Sequence, residues 1–416
     1  MEPVYLDNNA TTRTDPAVVA AMLPYFSDQF GNASSVHAFG HAVAPALREA
    51  RRSLQQLLGA ASEAEIVFTS GGTESDNAAI LSALETQTGR DEIVVTAVEH
   101  PAVLTLVDHL ESARGVKVHR IGVDGCGRLD VDAYARALGP RTAIASVMWA
   151  NNETGTLFPV AELAERAHGA GALFHTDAVQ AVGKVGVDLK ATAIDMLSLS
   201  GHKLHGPKGI GALYLRKGTP FAPLVRGGPQ ERRRRGGTEN VPGIVGLGKA
   251  AELAAAHLRD EATRVRSLRD SLENGIIAAV GHCVVLGDGD HRLPNTANVA
   301  FAHLDGEAIL HHLTAAGVAA SLGSACASGS MEPSHVLRAM QVAPQWLRGA
   351  IRFSLSRDNT SEEIGRVLEV VPSIVARVRA SSPSWQAQIA SDDPPGTNPS
   401  IANPPSTNPP SMEPAL

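Results

Sequence analysis

Lys203 lies in the segment SLSGHKLHGPKG, Ser198 to Gly209, between the end of an apolar strand-like run (Asp195 to Ser200) and a glycine-rich turn. Desolvation at a strand end disfavours an ammonium, lowers its pKa and frees an amine able to form a Schiff base. The obvious carbonyl partner is pyridoxal phosphate. A surface lysine in a turn fits the same residues, so the rest of the chain decides.

The run SGGTESDNAA, Ser70 to Ala79, follows a predicted strand and opens a helix. Its glycines allow close backbone approach, and the free N–H groups of a helix start attract an anion such as a phosphate. An ordinary helix cap at Thr73 and Asp76 reads equally well. Strand ALFHTDA ends in Asp177, with Gln180 three residues on. Ligands of α/β sheets collect at the carboxyl ends of strands, where a carboxylate facing a pyridine nitrogen would keep it protonated. Asp177 also suits the cap of a following helix. His100 and Asn152 occupy equivalent strand ends and also read as satisfied loop polar groups. Cys326, in GSACASGS, is surrounded by small residues that predict an accessible loop thiol able to carry a group. Cys283 on a predicted strand and Cys126 in a turn read as inert.

The elements that must position these residues form an α/β pattern. From about residue 60 to 215, the runs EIVFTS, EIVVTAV, VKVHRIGV, TAIASVMWA, ALFHTDA, DMLSLS and GALYLR alternate with helical spacing over Thr73–Leu84, Pro101–Ala113, Val131–Leu138 and Val160–Ala170. Such alternation predicts a largely parallel sheet covered by helices on both faces. Earlier helices are expected after Asp15-Pro16 and from about His41 to Leu58. A long helical stretch from about Val241 to Val280 leads to a smaller α+β region with strands TANVAFA, VAASLGS and GAIRFSLS. Thr360 and Glu363 form a capping-box pattern for a helix from Ser361. The expected organisation is an N-terminal arm (1–14), a large domain (15–255), a small domain carrying the Cys326 loop (256–381) and a disordered Pro/Asn/Ser-rich tail (382–416).

At 416 residues and 44% apolar composition, the chain is long enough for a large and a small domain. A net charge of −7 gives no footprint for nucleic acid, and the Arg232–Arg235 run reads as a solvated loop. Three cysteines without paired spacing argue against a disulfide framework or a structural metal site. The start of the chain has no signal-peptide pattern, and no apolar stretch is of membrane-spanning length, so a soluble cytoplasmic protein is expected.

Over about residues 4 to 380 the chain resembles the cysteine desulfurases, pyridoxal-phosphate enzymes of fold type I, and most closely their nitrogenase-associated, NifS-type branch. The resemblance is carried by VYLDNNATTR, AMLPYF, FTSGGTESDNA, VEHPAVL, VMWANNETG, FHTDAVQAVGK, SLSGHKLHGPKG, GGTEN, LPNTAN, GSACASGS, EPSHVLRAM and IRFSLSR. It implies Lys203 as the Schiff-base lysine and Cys326 as the nucleophile that becomes a persulfide. It implies His100 against the cofactor ring, Asp177 on the pyridine nitrogen and Gln180 on the ring hydroxyl. Gly72, Thr73, Ser200 and His202 would hold the phosphate, and Thr238 would reach the phosphate of the other subunit of a homodimer. Asn152 and Arg352 would fix the substrate carboxylate, for which the guanidinium fork is suited. Arg233, where family members often have a smaller residue, and the tail depart from the family pattern.

The resemblance implies conversion of L-cysteine to L-alanine, with sulfur passed through Cys326 to an iron–sulfur scaffold protein, in nitrogenase assembly first. Selenocysteine lyase, or another lyase or transaminase of the same fold, is the enzymatic alternative. A non-catalytic assembly scaffold is the other, and it would not require Lys203, Asp177 and Cys326 together.

Overall fold

The computed structural model describes residues 2–322 and 333–390. The strands, in chain order, are β1 (Val4–Tyr5), β2 (Ile66–Thr69), β3 (Glu92–Thr96), β4 (Lys117–Ile121), β5 (Thr142–Ser146), β6 (Leu173–Asp177), β7 (Met196–Ser200), β8 (Gly211–Leu215), β9 (Cys283–Val285), β10 (Thr296–Phe301), β11 (Val318–Ala319) and β12 (Ala350–Ser354). Strands β2 to β8 form one sheet in the order β2-β8-β7-β6-β5-β3-β4. It is parallel from β7 through β4, while β8 runs antiparallel to both of its neighbours.

Side chains alternate across a pleated strand, and here both faces are apolar because helices cover both. Val67, Ile93, Val95, Ile144, Met196 and Leu213 pack on one side with Ile80, Val103 and Val107 of the helices Gly72–Thr86 and Pro101–Arg114. Phe68, Val94, Phe174, Leu197 and Tyr214 pack on the other with Leu54, Tyr134, Leu163 and Leu247. The helix starts follow local chemistry. Asp15 Oδ1 accepts from Ala17 N at 2.8 Å before Pro16–Met22, and the capping box of Thr360 and Glu363 opens Ser361–Ser381.

A second core gathers Val299, Phe301, Ile351 and Phe353 of the antiparallel sheet β12-β10-β9 with Leu272, Leu313 and Val375 of three helices. Val4 and Leu6 are fully buried in this second core, and β1 pairs in parallel with β11. The N-terminal segment is therefore packed into the C-terminal core before it crosses to the large sheet.

Two expectations differ from what is observed, and one expected element carries a detail its spacing did not show. The long helical stretch from Val241 to Val280 is present, and a π-helical segment, Glu261–Val265, joins its α-helical parts Val241–Asp260 and Arg266–Val280. Wider i→i+5 turns rotate the following helix face, and Ala254 belongs to the first core while Val265 belongs to the second. The segment from 382, expected to be disordered, begins with a helix, Pro383–Ala390. Its Trp385 ring stacks under the Arg379 guanidinium at 4.3 Å, and Ser382 Oγ donates to His303 O at 2.9 Å, contacts that composition does not reveal. The recurrent Asn-Pro motifs beyond it lie outside the described residues.

The Arg232–Arg235 run is only partly a solvated loop. Glu231, Arg232 and Arg233 take left-handed φ of 45°, 57° and 65°. This turn sends Glu231 inward to Arg51 at 2.7 Å and Arg235 to Glu74 at 3.0 Å, leaving Arg232 and Arg233 exposed. Among the described residues no helix is long and apolar enough to cross a membrane.

Candidate active site

A cleft of about 400 Å³ opens where β6 and β7 end and the helix Gly72–Thr86 begins. Gly72, Thr73, His100, Asn152, Asp177, Gln180, Ser200, His202, Lys203 and Arg352 all line it. The sheet supplies most of them because its parallel strands end on the same edge. Arg352 comes from β12 of the second core, so the cleft draws on both cores.

Lys203 ends the short 3-10 turn Gly201–Lys203 directly after β7. Its Nζ donates to the carbonyls of Asn9 and, at 2.7 Å, Ala10. On the phosphate-candidate side, the first N–H groups of the Gly72–Thr86 helix have no intrahelical acceptor. A Cβ at Gly72 would come within 2.8 Å of Val179 Cγ2, so glycine is what lets this turn lie close to the strand ends. His202 Nδ1 lies 3.2 Å from Thr11 Oγ1, and burial, reinforced by Lys203, Lys208 and Lys184, draws its pKa down to about 4. The imidazole is therefore neutral at neutral pH and can offer an N–H without adding charge.

The opposite end is acidic and deeply buried. Burial pushes the Asp177 carboxyl up, opposed by His100, the Val179 N–H at 2.9 Å and Lys203. Asp76, at the fifth position of the helix Gly72–Thr86, reaches the cleft, and its buried Oδ1 has no hydrogen-bond partner among the described residues. Burial first, then the charges of Asp177 and Glu99, raise Asp76 well above the carboxylate range. Glu99 is pushed up to about 8 by burial, although its Oε1 accepts from Thr96 Oγ1 and Met148 N at 2.8 and 2.9 Å. Behind them His175, drawn down to about 3 by burial, bridges Ser146 and Ser198 at 2.8 and 2.9 Å.

His100 caps the helix Pro101–Arg114. Its Nδ1 accepts from Ala102 N at 3.1 Å, which places the proton of a neutral ring on Nε2. Arg352 donates to Asn152 O at 2.9 Å and to Asp7 Oδ1 at 2.8 Å. An anion-binding helix start with Ser200 and His202, a lysine amine, and a buried carboxylate for a cationic ring nitrogen suit a flat, phosphate-bearing pyridine such as pyridoxal phosphate.

One assigned residue is not brought into this cleft. Thr238 is exposed in the single chain and lines none of it. Cys326 lies outside the described residues. The flanks of its segment are tied to Arg352 in the cleft wall and to Glu153, the neighbour of Asn152. Ser321 and Arg352 exchange backbone hydrogen bonds at 3.1 and 2.7 Å, and on the far side Ser334 Oγ donates to Glu153 Oε2 at 2.6 Å.

The residues that sequence reasoning missed are Asn9, Asp76, His175 and Lys184. His175 shares a strand face with Asp177 by the two-residue period, and Asp76 lies one helical turn from Thr73, so both had a usable signal. Asn9 had none beyond its motif.

The chain belongs to the aminotransferase class-V family, whose description matches residues 4–367. A curated cysteine desulfurase of Gluconacetobacter diazotrophicus is 66% identical over 391 residues, covering 94% of this chain and 98% of that protein. The cysteine desulfurase NifS of Azotobacter vinelandii is 59% identical over 394 residues, covering 95% and 98%. Among solved structures, a NifS-like protein superposes with a TM-score of 0.84 at 37% identity, covering 90% of this chain and all of that one.

Proposed function

We propose that this chain is a pyridoxal-phosphate-dependent cysteine desulfurase that yields L-alanine from L-cysteine and passes the sulfur on for iron–sulfur cluster assembly. The observation that carries this reading is the convergence of Lys203, Asp177 and Arg352 on one cleft. Gly72, Thr73, Ser200 and His202 would hold the phosphate, Asp177 the pyridine nitrogen, Gln180 the ring hydroxyl and Lys203 the carbonyl carbon. Bound there, the cofactor supplies an electron sink for the substrate Cα.

The chain's own groups do the rest. Arg352, with Asn152, binds and orients the substrate carboxylate. Lys203 takes the Cα proton as a base once it is released from its covalent role. His100, with Nδ1 committed to the helix start, has Nε2 for proton exchange. The Cys326 thiolate attacks the substrate sulfur. The carbon–sulfur bond breaks as a sulfur–sulfur bond forms, a proton is delivered to the substrate β-carbon, and the products are alanine and a Cys326 persulfide.

The acceptor of that sulfur is read as an iron–sulfur scaffold, in nitrogenase assembly first, following the NifS name of the Azotobacter relative. A homodimer is part of the reading. Phe26, Phe30, Val36 and Phe39 are exposed in the single chain, as is Thr238, which would serve the partner's phosphate.

The test is product analysis with L-cysteine. Stoichiometric alanine and reducible sulfur are expected, together with borohydride fixation of the cofactor that Lys203→Ala abolishes. A keto acid product, or fixation that survives in Lys203→Ala, would overturn the reading.

A further inference from the structure

Lys184 is buried beside the cleft and has no role in the reaction as described above. Its Nζ lies 2.8 Å from Gln180 Oε1 and 3.3 Å from Asn9 Oδ1. Gln180 in turn donates through Nε2 to the Asn9 carbonyl at 3.0 Å. Asn9 itself is held on every side. Its N–H donates to Ser354 Oγ at 2.9 Å, and its Nδ2 donates to Thr296 Oγ1 at 2.9 Å and Asn152 O at 3.2 Å. Its Oδ1 also accepts from Asn295 Nδ2 at 3.1 Å.

This arrangement leaves the Gln180 amide only one orientation. An ammonium only donates, so its partner on Gln180 must be the carbonyl oxygen. A peptide carbonyl only accepts, so what Gln180 gives to Asn9 O is an N–H; but Asn9 O also accepts from Lys203 Nζ, so this contact does not by itself require the amide, and the Lys184 donor is what fixes which end faces it. One Nε2 hydrogen is therefore committed to Asn9. The other is the polar hydrogen that Gln180 can offer to the cleft it lines.

We propose that Lys184 is a positioning residue that locks the Gln180 amide so that an N–H, rather than a carbonyl oxygen, meets the ring oxygen of the cofactor. The proposal rests on the pyridoxal-phosphate reading and deepens it. An N–H donor favours the ionised ring hydroxyl, whereas a flipped amide would set two acceptors against each other. A buried lysine is costly. Burial draws Lys184 down to about 7, with Glu261 opposing and Lys203 and Arg352 reinforcing the shift. An interior that needed only packing would be filled more stably by an apolar side chain.

The experiment is an absorbance spectrum of the full chain loaded with pyridoxal phosphate. Lys184→Met keeps the stem and removes the donors. Lys184→Met/Glu261→Gln leaves neither charge alone in the interior and is the variant read if the single one does not fold. Either should retain the cofactor with its visible band displaced from the parent position. In a Gln180→Leu background, Lys184→Met should add no further displacement, because the two side chains act as one unit. A band unmoved in a folded Lys184 variant would overturn the inference alone, and so would a full additional shift in the Gln180→Leu background. A parent protein that binds pyridoxal phosphate with no visible band would overturn the cofactor reading and, with it, this inference.

Discussion

Arg352 and Asp7 meet at 2.8 Å although 345 positions separate them in the chain. The contact ties β12 to the N-terminal segment just before Asn9. With Asn152 O on its other terminal nitrogen, the guanidinium is held at the wall of the cleft. Arg352 is 2% exposed, so it brings a desolvated, oriented charge to any carboxylate that enters.

Arg352→Lys replaces that fork with a point charge that cannot span Asp7 and Asn152 while also gripping a substrate carboxylate. Loss of a charge-assisted bond of about 2 kcal/mol corresponds to roughly a 30-fold weaker grip. Steady-state kinetics should show this increase mainly in the KM for L-cysteine, with the cofactor retained. A loss confined to kcat would argue that Arg352 does not bind the carboxylate.

Cys326→Ala should retain the cofactor and respond spectroscopically to L-cysteine, yet form neither alanine nor persulfide, because only the acceptor of the sulfur is gone. The other thiols make poor substitutes. Burial pushes Cys126 and Cys283 above the ordinary thiol pKa, which lowers their thiolate fraction. Alanine replacements at those two sites should turn over near the parent rate. Persulfide found on either of them in Cys326→Ala would contradict the assignment.

His175 predicts an acid-side loss of stability. Its folded pKa of about 3 lies below the ordinary value of 6.5. As pH falls from 6.5 toward 3, the unfolded chain takes up a proton that the folded chain does not. Stability is then lost at up to about 1.4 kcal/mol per pH unit from this group. His175→Asn should be less stable than the parent at pH 7.5, since it disturbs the bonds to Ser146 and Ser198, but the gap should narrow by pH 5. Urea unfolding at the two pH values checks this, and a constant gap would refute it.

Truncation separates the two parts of the C-terminal segment. Removing residues 391–416, which offer little apolar surface, should leave activity and Tm nearly unchanged. Removing 382–416 also deletes Trp385 and its stacking on Arg379, and should cost about 1–2 kcal/mol. Thermal melts of the two truncations give the comparison.

Much of this architecture was legible in the sequence, because the signals are local. Apolar runs at strand length, helical spacing between them and caps such as Asp15 and Thr360 act within a few residues. Together with the motifs, they led to a largely parallel sheet whose strand ends carry His100, Asn152, Asp177 and Lys203. What the tertiary structure decided are contacts between distant positions. No period or spacing relates Asn9 to Lys203 and Lys184 or Asp7 to Arg352, because these pairs depend on how two cores dock and on which polar groups burial leaves without water. The same applies to the π-segment at Glu261–Val265 and the helix begun by Pro383. Each depends on what the neighbouring core presents, through Val265 in one case and through Arg379 in the other, and that surface exists only once the chain has folded.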